Sequence, residues 1–128
     1  MACKILLIDD EPDLLALLTH GLKRKGYEVY GGRDGREALV MAPQLMPDLI
    51  ILDVGLPVIN GDEVALIFKN DEKLKRIPII LISTVHVGLI EKTQKSGADA
   101  YLPKPFELAE LLGLVKKLCG QAQPPLAP

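Results

Sequence analysis

The chain has 128 residues, 48% hydrophobic and 25% charged, with a formal net charge of -2. That length suits one domain large enough to bury a core, and no apolar stretch approaches the length needed to span a bilayer. The charge balance offers no field for grasping nucleic acid, and no basic stripe with interleaved aromatics appears.

Met1-Ala2-Cys3-Lys4 leads directly into a strand-like run that is too short for the apolar core of a secretory signal, so a cytoplasmic location is expected. Cys3 and Cys119 sit near opposite ends of the chain, without metal-ligand spacing or a disulfide framework, and are expected to be reduced thiols. Apolar runs of strand length then alternate with segments of helical periodicity, the pattern of five βα units around a parallel sheet.

The first strand covers about Lys4 to Ile8. Its helix starts from Pro12, carries Leu14, Leu18 and Leu22 on one stripe, and has Gly26 after its end. Glu28-Val29-Tyr30 is a weaker second strand, and Asp34 is placed to cap a helix bearing Ala38 and Leu39 that runs towards Pro43. The third strand, Leu49 to Leu52, delivers Asp53. A loop with Pro57 and Gly61 then leads to a helix bearing Val64, Ile67 and Phe68.

Pro78 marks entry to the fourth strand, Ile79 to Ile82, which runs into Ser83. The fourth helix, roughly Gly88 to Lys95, has only a thin apolar stripe of Leu89, Ile90 and Thr93, and is expected to be the least firmly packed. Ala100-Tyr101-Leu102 is the last strand and Pro103-Lys104-Pro105 follows it. The last helix carries Leu108, Leu111, Leu112, Val115 and Leu118 at helical spacing. Residues 1–120 are expected to form the domain, and the Pro-rich 121–128 a tail or the start of a linker.

In a parallel sheet all strands finish on one edge, so Asp9, Asp10, Asp53, Ser83 and Lys104 should converge there. Consecutive strand residues face opposite ways, so Asp9 and Asp10 share a site only where the chain leaves the strand; either could instead cap the helix beginning at Pro12. Crowded carboxylates repel and raise one another's pKa, an arrangement most easily sustained around a hard divalent cation such as Mg²⁺. Lys104 in a Pro-Lys-Pro turn would ordinarily be solvated surface, but a cis Lys104-Pro105 bond could turn its ammonium into the cluster. Ser83 is either a satisfied core hydroxyl or a donor to an added phosphoryl oxygen. Tyr101 is either an exposed edge-strand aromatic or part of a switch. His20 reads as a polar face residue of the first helix, and His86 as loop surface or at most an access gate.

These stretches together resemble the receiver domain of bacterial two-component response regulators. The matching segments are Ile8-Asp9-Asp10-Glu11-Pro12, Asp34-Gly35-Arg36-Glu37-Ala38-Leu39, Pro47-Asp48-Leu49-Ile50-Ile51-Leu52-Asp53, Leu56-Pro57 with Asn60-Gly61, Pro78 to Ser83, and Gly97 to Phe106. They span about Lys4 to Cys119, nearly the whole chain. The resemblance implies a doubly wound, flavodoxin-like α/β fold of (βα)5 type with strand order 2-1-3-4-5.

It further implies that Asp53 accepts a phosphoryl group from a sensor histidine kinase or histidine phosphotransfer protein, forming an aspartyl phosphate. Asp10, Asp53 and the backbone carbonyl of Gly55 would bind Mg²⁺ (or Mn²⁺) directly, and Asp9 through water. Lys104 and Ser83 would assist, Ser83 and Tyr101 would act as the switch, and the fourth helix, fifth strand and fifth helix would signal to a downstream protein or output domain. Such a chain is a signalling module that promotes its own phosphorylation and dephosphorylation, not an enzyme. It contacts neither nucleic acid nor membrane itself, and homodimerisation on phosphorylation is left open.

The rim of the site departs from the family pattern. Thr84 stands where a very small residue is usual, and Gly55 and Val85 lack the polar side chains that in some relatives help hydrolysis, so a comparatively long-lived phosphoryl group is expected. Two alternatives keep part of this reading: an interaction domain of the same fold that is independent of phosphorylation, and a haloacid-dehalogenase-type phosphatase. The second would need an Asp two residues after its nucleophile, where Asp53-Val54-Gly55 has none. A flavodoxin-like flavin carrier fits less well, because Asp9-Asp10-Glu11 would repel a phosphate unless a metal intervened.

Overall fold

The inner strands of the sheet are apolar on both faces and need cover on both sides, and the chain supplies it by returning through a helix after each strand. The computed structural model describes residues 2–84 and 88–122. In chain order the elements are β1 (Lys4–Ile8), α1 (Pro12–Arg24), β2 (Glu28–Gly32), α2 (Gly35–Leu45), β3 (Leu49–Asp53), α3 (Gly61–Lys69), β4 (Ile79–Ser83), α4 (Leu89–Ser96), β5 (Ala100–Pro103) and α5 (Leu108–Ala122). All strand pairs are parallel, in the expected order β2-β1-β3-β4-β5.

Alternation along the strands builds two cores. Leu6, Ile8, Ile50, Leu52, Ile79 and Leu81 pack under α2 and α3, with Ala38, Ala42, Val64 and Phe68 facing them. Ile5, Leu7, Leu49, Ile51, Ile80 and Ile82 pack under α1 and α5, against Leu18, Leu22, Leu111 and Val115. The strand order reverses between β1 and β3, and the crevice beyond the strand ends opens there, which is where this kind of sheet holds its ligands. The register sets Ile8 beside Leu52, so the residues that follow them, Asp9 and Asp53, leave the sheet side by side.

Local chemistry explains most boundaries. Asp34 caps α2 by accepting the Glu37 N–H at 2.8 Å, while the Glu37 carboxylate reaches back to the Arg33 N–H at 3.1 Å. Pro43 lies inside α2 and does not end it. The ring sacrifices a hydrogen bond only in the final turn, and the helix stops at Met46, whose φ of 46° is left-handed and whose N–H closes on Ala42. α1 is capped by Glu11 without a side-chain bond, so neither Asp9 nor Asp10 serves as its cap.

Ile67 of α3 is exposed, not core-facing; Val64, Ala65 and Phe68 make the buried stripe. In α4, Ile90 is exposed, and among the described side chains the buried ones are Thr93 and Ser96. α5 continues past Gly120 to Ala122, into the expected tail, and the remaining 123–128 lie outside the described residues.

The expectation of reduced thiols is corrected: Cys3 and Cys119 are joined by a disulfide, their Cα atoms 6.1 Å apart. Sequence separation of 116 hid this, because what brings them together is the last helix running back along the sheet beside the first strand. A bridge closing a loop of that size restricts the unfolded chain and is worth roughly 4–5 kcal/mol in the chain-entropy model.

The start of α3 presses on the end of β3. The Gly61 N–H bonds the Val54 carbonyl at 2.9 Å, and a Cβ added at Gly61 would overlap the Asp53 carbonyl. Gly61→Ala is therefore expected to destabilise the domain by about 1–3 kcal/mol, the usual cost of overpacking a tight site, read from the urea unfolding midpoint. A midpoint equal to the parent's would show that α3 moves away without cost.

Candidate functional site

The C-terminal edge of the sheet gathers Asp9 and Asp10 from the end of β1, Asp53 from β3, Ser83 from β4 and Lys104 from the turn after β5. All but Asp9, which is fully buried behind them, line a cleft of about 400 Å³ together with Glu11, Gly55, Asn60 and Thr84. Every strand ending that the sequence singled out is there except the position of Val85, which lies outside the described residues, as does His86.

Lys104 organises the cluster. Its backbone N–H donates to the Ser83 carbonyl at 2.7 Å, extending the β4–β5 pairing one residue beyond the sheet, and the Lys104-Pro105 bond is cis. Lys104 is only 8% exposed, and its ammonium donates to Asp9 Oδ2 at 3.2 Å, Glu11 Oε1 at 2.9 Å and Asp53 Oδ2 at 3.2 Å. A Lys so enclosed is sustained only by such partners.

The carboxylates are used unequally. Asp9 is fully buried; its Oδ1 accepts the Glu11 N–H at 2.9 Å and its Oδ2 faces Lys104. Asp53 also divides its oxygens, with Oδ1 accepting the Gly55 N–H at 3.1 Å and Oδ2 on Lys104. Asp10 is half-buried on the cleft wall and takes no share of the ammonium. Ser83 is 2% exposed and lines the cleft, and Thr84 beside it is exposed at the rim. Tyr101, 39% exposed, stands on edge strand β5 in register with Leu81.

Burial pushes the Asp9 carboxyl above its ordinary value and the neighbouring Asp53 charge adds to the rise, while the Glu11 N–H and the Lys104 charge pull against it. For Lys104 burial works downwards, but the bond to Glu11 and the charges of Asp53 and Asp9 outweigh it and hold the ammonium above the usual lysine range.

One oxygen from each of Asp9, Asp10 and Asp53 lies within 4.8 Å of the others. Three hard oxygen donors so close, opposed by one ammonium, fit a hard divalent cation and do not suit a soft metal. Glu11 was missed as a partner of Lys104, because in sequence it is only the residue before a helix. Asn60, named in the sequence only as part of a matching segment, also lines the cleft. No sequence signal distinguishes Glu11 from an ordinary exposed acid, since its role depends on a lysine 93 positions away.

Comparison with known proteins places this geometry. The response regulator receiver domain matches residues 5–116. The chain is 40% identical over 118 residues to the DNA-binding dual master transcriptional regulator RpaA of Synechocystis sp., covering 90% of this chain and 48% of that protein. It is 32% identical to the polar-differentiation response regulator DivK of Brucella ovis, covering 95% of this chain and all of that one. Among solved structures it superposes on the chemotaxis response regulator CheY4 of Vibrio cholerae with TM-score 0.86 and 32% identity, covering 92% of this chain and 99% of the other. The chain thus spans about half the length of RpaA and the full length of DivK. Among the described residues no helix is long and apolar enough to cross a membrane.

Because the folded state holds the Lys104 proton more tightly than an unfolded lysine near 10.5, its stabilising contribution is complete below that pH and is lost as pH rises through the higher folded value. Lys104→Met is expected to cost roughly 3 kcal/mol at neutral pH, as for other buried pairs that lose one partner. It should also flatten the alkaline arm of the stability–pH curve, measured by urea unfolding at successive pH values. An alkaline arm that matches the parent's would exclude the ion cluster as its source.

Proposed function

The chain belongs to the response regulator receiver family, and on that premise we propose that Asp53 is its phosphoacceptor and that the cleft is the place of phosphoryl transfer. The observation that carries this is the position of the Asp53 carboxylate, wedged between the Lys104 ammonium and the Asp9 and Asp10 oxygens on the wall of an open cleft. A histidine kinase or histidine phosphotransfer protein is the proposed donor. An Asp53 carboxylate oxygen forms the new P–O bond, the P–N bond of the donor phosphohistidine breaks, and the freed imidazole takes up a proton from water.

The protein's part is positioning and charge compensation, because the transferred group needs alignment more than covalent assistance. The Gly55 N–H fixes one Asp53 oxygen, which orients the other. Lys104 neutralises Asp53 before transfer and a phosphoryl oxygen after it. Asp10, Asp53 and the Gly55 carbonyl, with Asp9 through water, would hold Mg²⁺ or Mn²⁺, which would supply the remaining positive charge opposite the phosphoryl oxygens.

The added phosphoryl group brings charge and acceptor oxygens to the edge where Ser83 ends β4. Ser83 is placed to donate to it, and Tyr101, two strands from Asp53 and on the exposed edge, is the proposed follower. The face that carries the change is α4–β5–α5. Its weak point is α4, whose buried described side chains are a threonine and a serine, an element cheap to shift. The signal would pass to a separate downstream protein or, with 121–128 as linker, to an output domain of a longer product.

Incubation with Mg²⁺ and a small-molecule phosphodonor is expected to add one phosphoryl mass to the protein, and Asp53→Asn should abolish the addition. No mass shift in the parent under any donor would leave only the phosphorylation-independent interaction domain. The Thr84 side chain at the rim narrows the approach of water to that group. Thr84→Ala should therefore lose the phosphoryl group several-fold faster, timed by intact mass after the donor is removed; loss at the parent's rate would remove Thr84 from the account.

A further inference from the structure

The Cys3–Cys119 bond lies at the edge of the sheet opposite the acid cleft, and phosphoryl transfer makes no use of it. Cys3 immediately precedes β1, whereas Asp9 and Asp10 follow the same strand at its other end, about 20 Å away at strand rise. The sulfurs are sealed from solvent: Cys3 is 2% and Cys119 1% exposed. Both belong to the apolar cluster under α1 and α5, among Leu22, Val29 and Val115.

Cys119 is the last of the buried stripe Leu111, Val115 and Cys119, each four residues after the one before, so it decides whether the final turn of α5 is pinned to the sheet. A free cysteine packs as a small hydrophobe, so the same cluster accommodates two thiols as well as the bond. The fold thus tolerates both states, and what differs is the tether on the end of one helix.

We propose that Cys3 and Cys119 form a reversible redox clamp on the last turn of α5, an input to the domain that is separate from the acid cleft. The oxidant is a low-molecular-weight disulfide of the glutathione class. When the helix end frays, the Cys119 thiolate attacks one sulfur of that disulfide, releasing one small thiolate and leaving a mixed disulfide. The Cys3 thiolate then attacks the Cys119 sulfur, forming the protein bond and releasing the second small thiolate. The two protons given up by the cysteines are taken by the two released thiolates, so the cysteine pair is oxidised by two electrons and the small disulfide is reduced by two.

The test equilibrates the full chain in mixtures of reduced and oxidised glutathione. Intact mass reads the loss of two hydrogens, amide exchange reads the last turn of α5, and melting reads stability. Expected on oxidation are amide exchange slowed at least about tenfold in that turn and a melting temperature raised on the order of 10 °C. Asp53→Asn should respond in the same way, which separates this clamp from the proposed phosphoryl chemistry. Cys3→Ala, Cys119→Ala and the double variant should lose the response; if the double variant fails to fold, the parent compared with and without reductant decides. Cysteines that stay alkylatable in excess oxidised glutathione would overturn the clamp. So would a bond that reduces only when the domain unfolds, or exchange at the end of α5 that is the same in both states.

Discussion

One ammonium faces three carboxylates at the mouth of this sheet, and the arrangement of the whole domain follows from keeping it there. Lys104 reaches Asp9, Glu11 and Asp53 together only because its backbone continues the β4–β5 pairing one residue past the strand and turns inward. The partners come from opposite ends of the chain and from its middle, so no local segment contains the site. It exists only when β1, β3 and β5 are in register.

The sheet beneath is dry. All five residues of β3 and of β4 are buried, and the charges therefore lie at the boundary between an apolar slab and water. That boundary makes the ions useful. Deeper, they would be neutralised or would cost more than their attraction returns; further out, water would screen them to near irrelevance. With Asp10 outside the ammonium's reach, the cluster keeps negative charge to spare on the cleft side, where a hard cation or a phosphoryl group with its counterion can settle.

The strand endings were legible because period and placement agree: apolar runs of strand length followed by Asp53, Ser83 or Lys104 state both the strand and the edge it ends on. Asp34 was legible as a cap for the same reason, since Glu37 three residues later completes the pattern. Pro43 misled because α2 carries it near its C-terminal end at the cost of one i→i−4 bond and runs on to Leu45, and nothing local reveals that the helix outlasts it. Ile67 was assigned to the core by type, yet the α3 stripe is already filled by Val64, Ala65 and Phe68. Glu11 and the cysteine pair were invisible for a deeper reason. Their partners are set by how the last strand and helix return beside the first, a relation that periodicity does not encode.

The same return has a topological consequence. With the Cys3 and Cys119 Cα atoms 6.1 Å apart, the path of the fold is nearly a closed ring whose seam lies away from the acid cleft. A ring of this kind can be opened elsewhere and rejoined at the seam, so circular permutants that link the two ends by a few residues keep every strand pairing and leave the charged edge untouched.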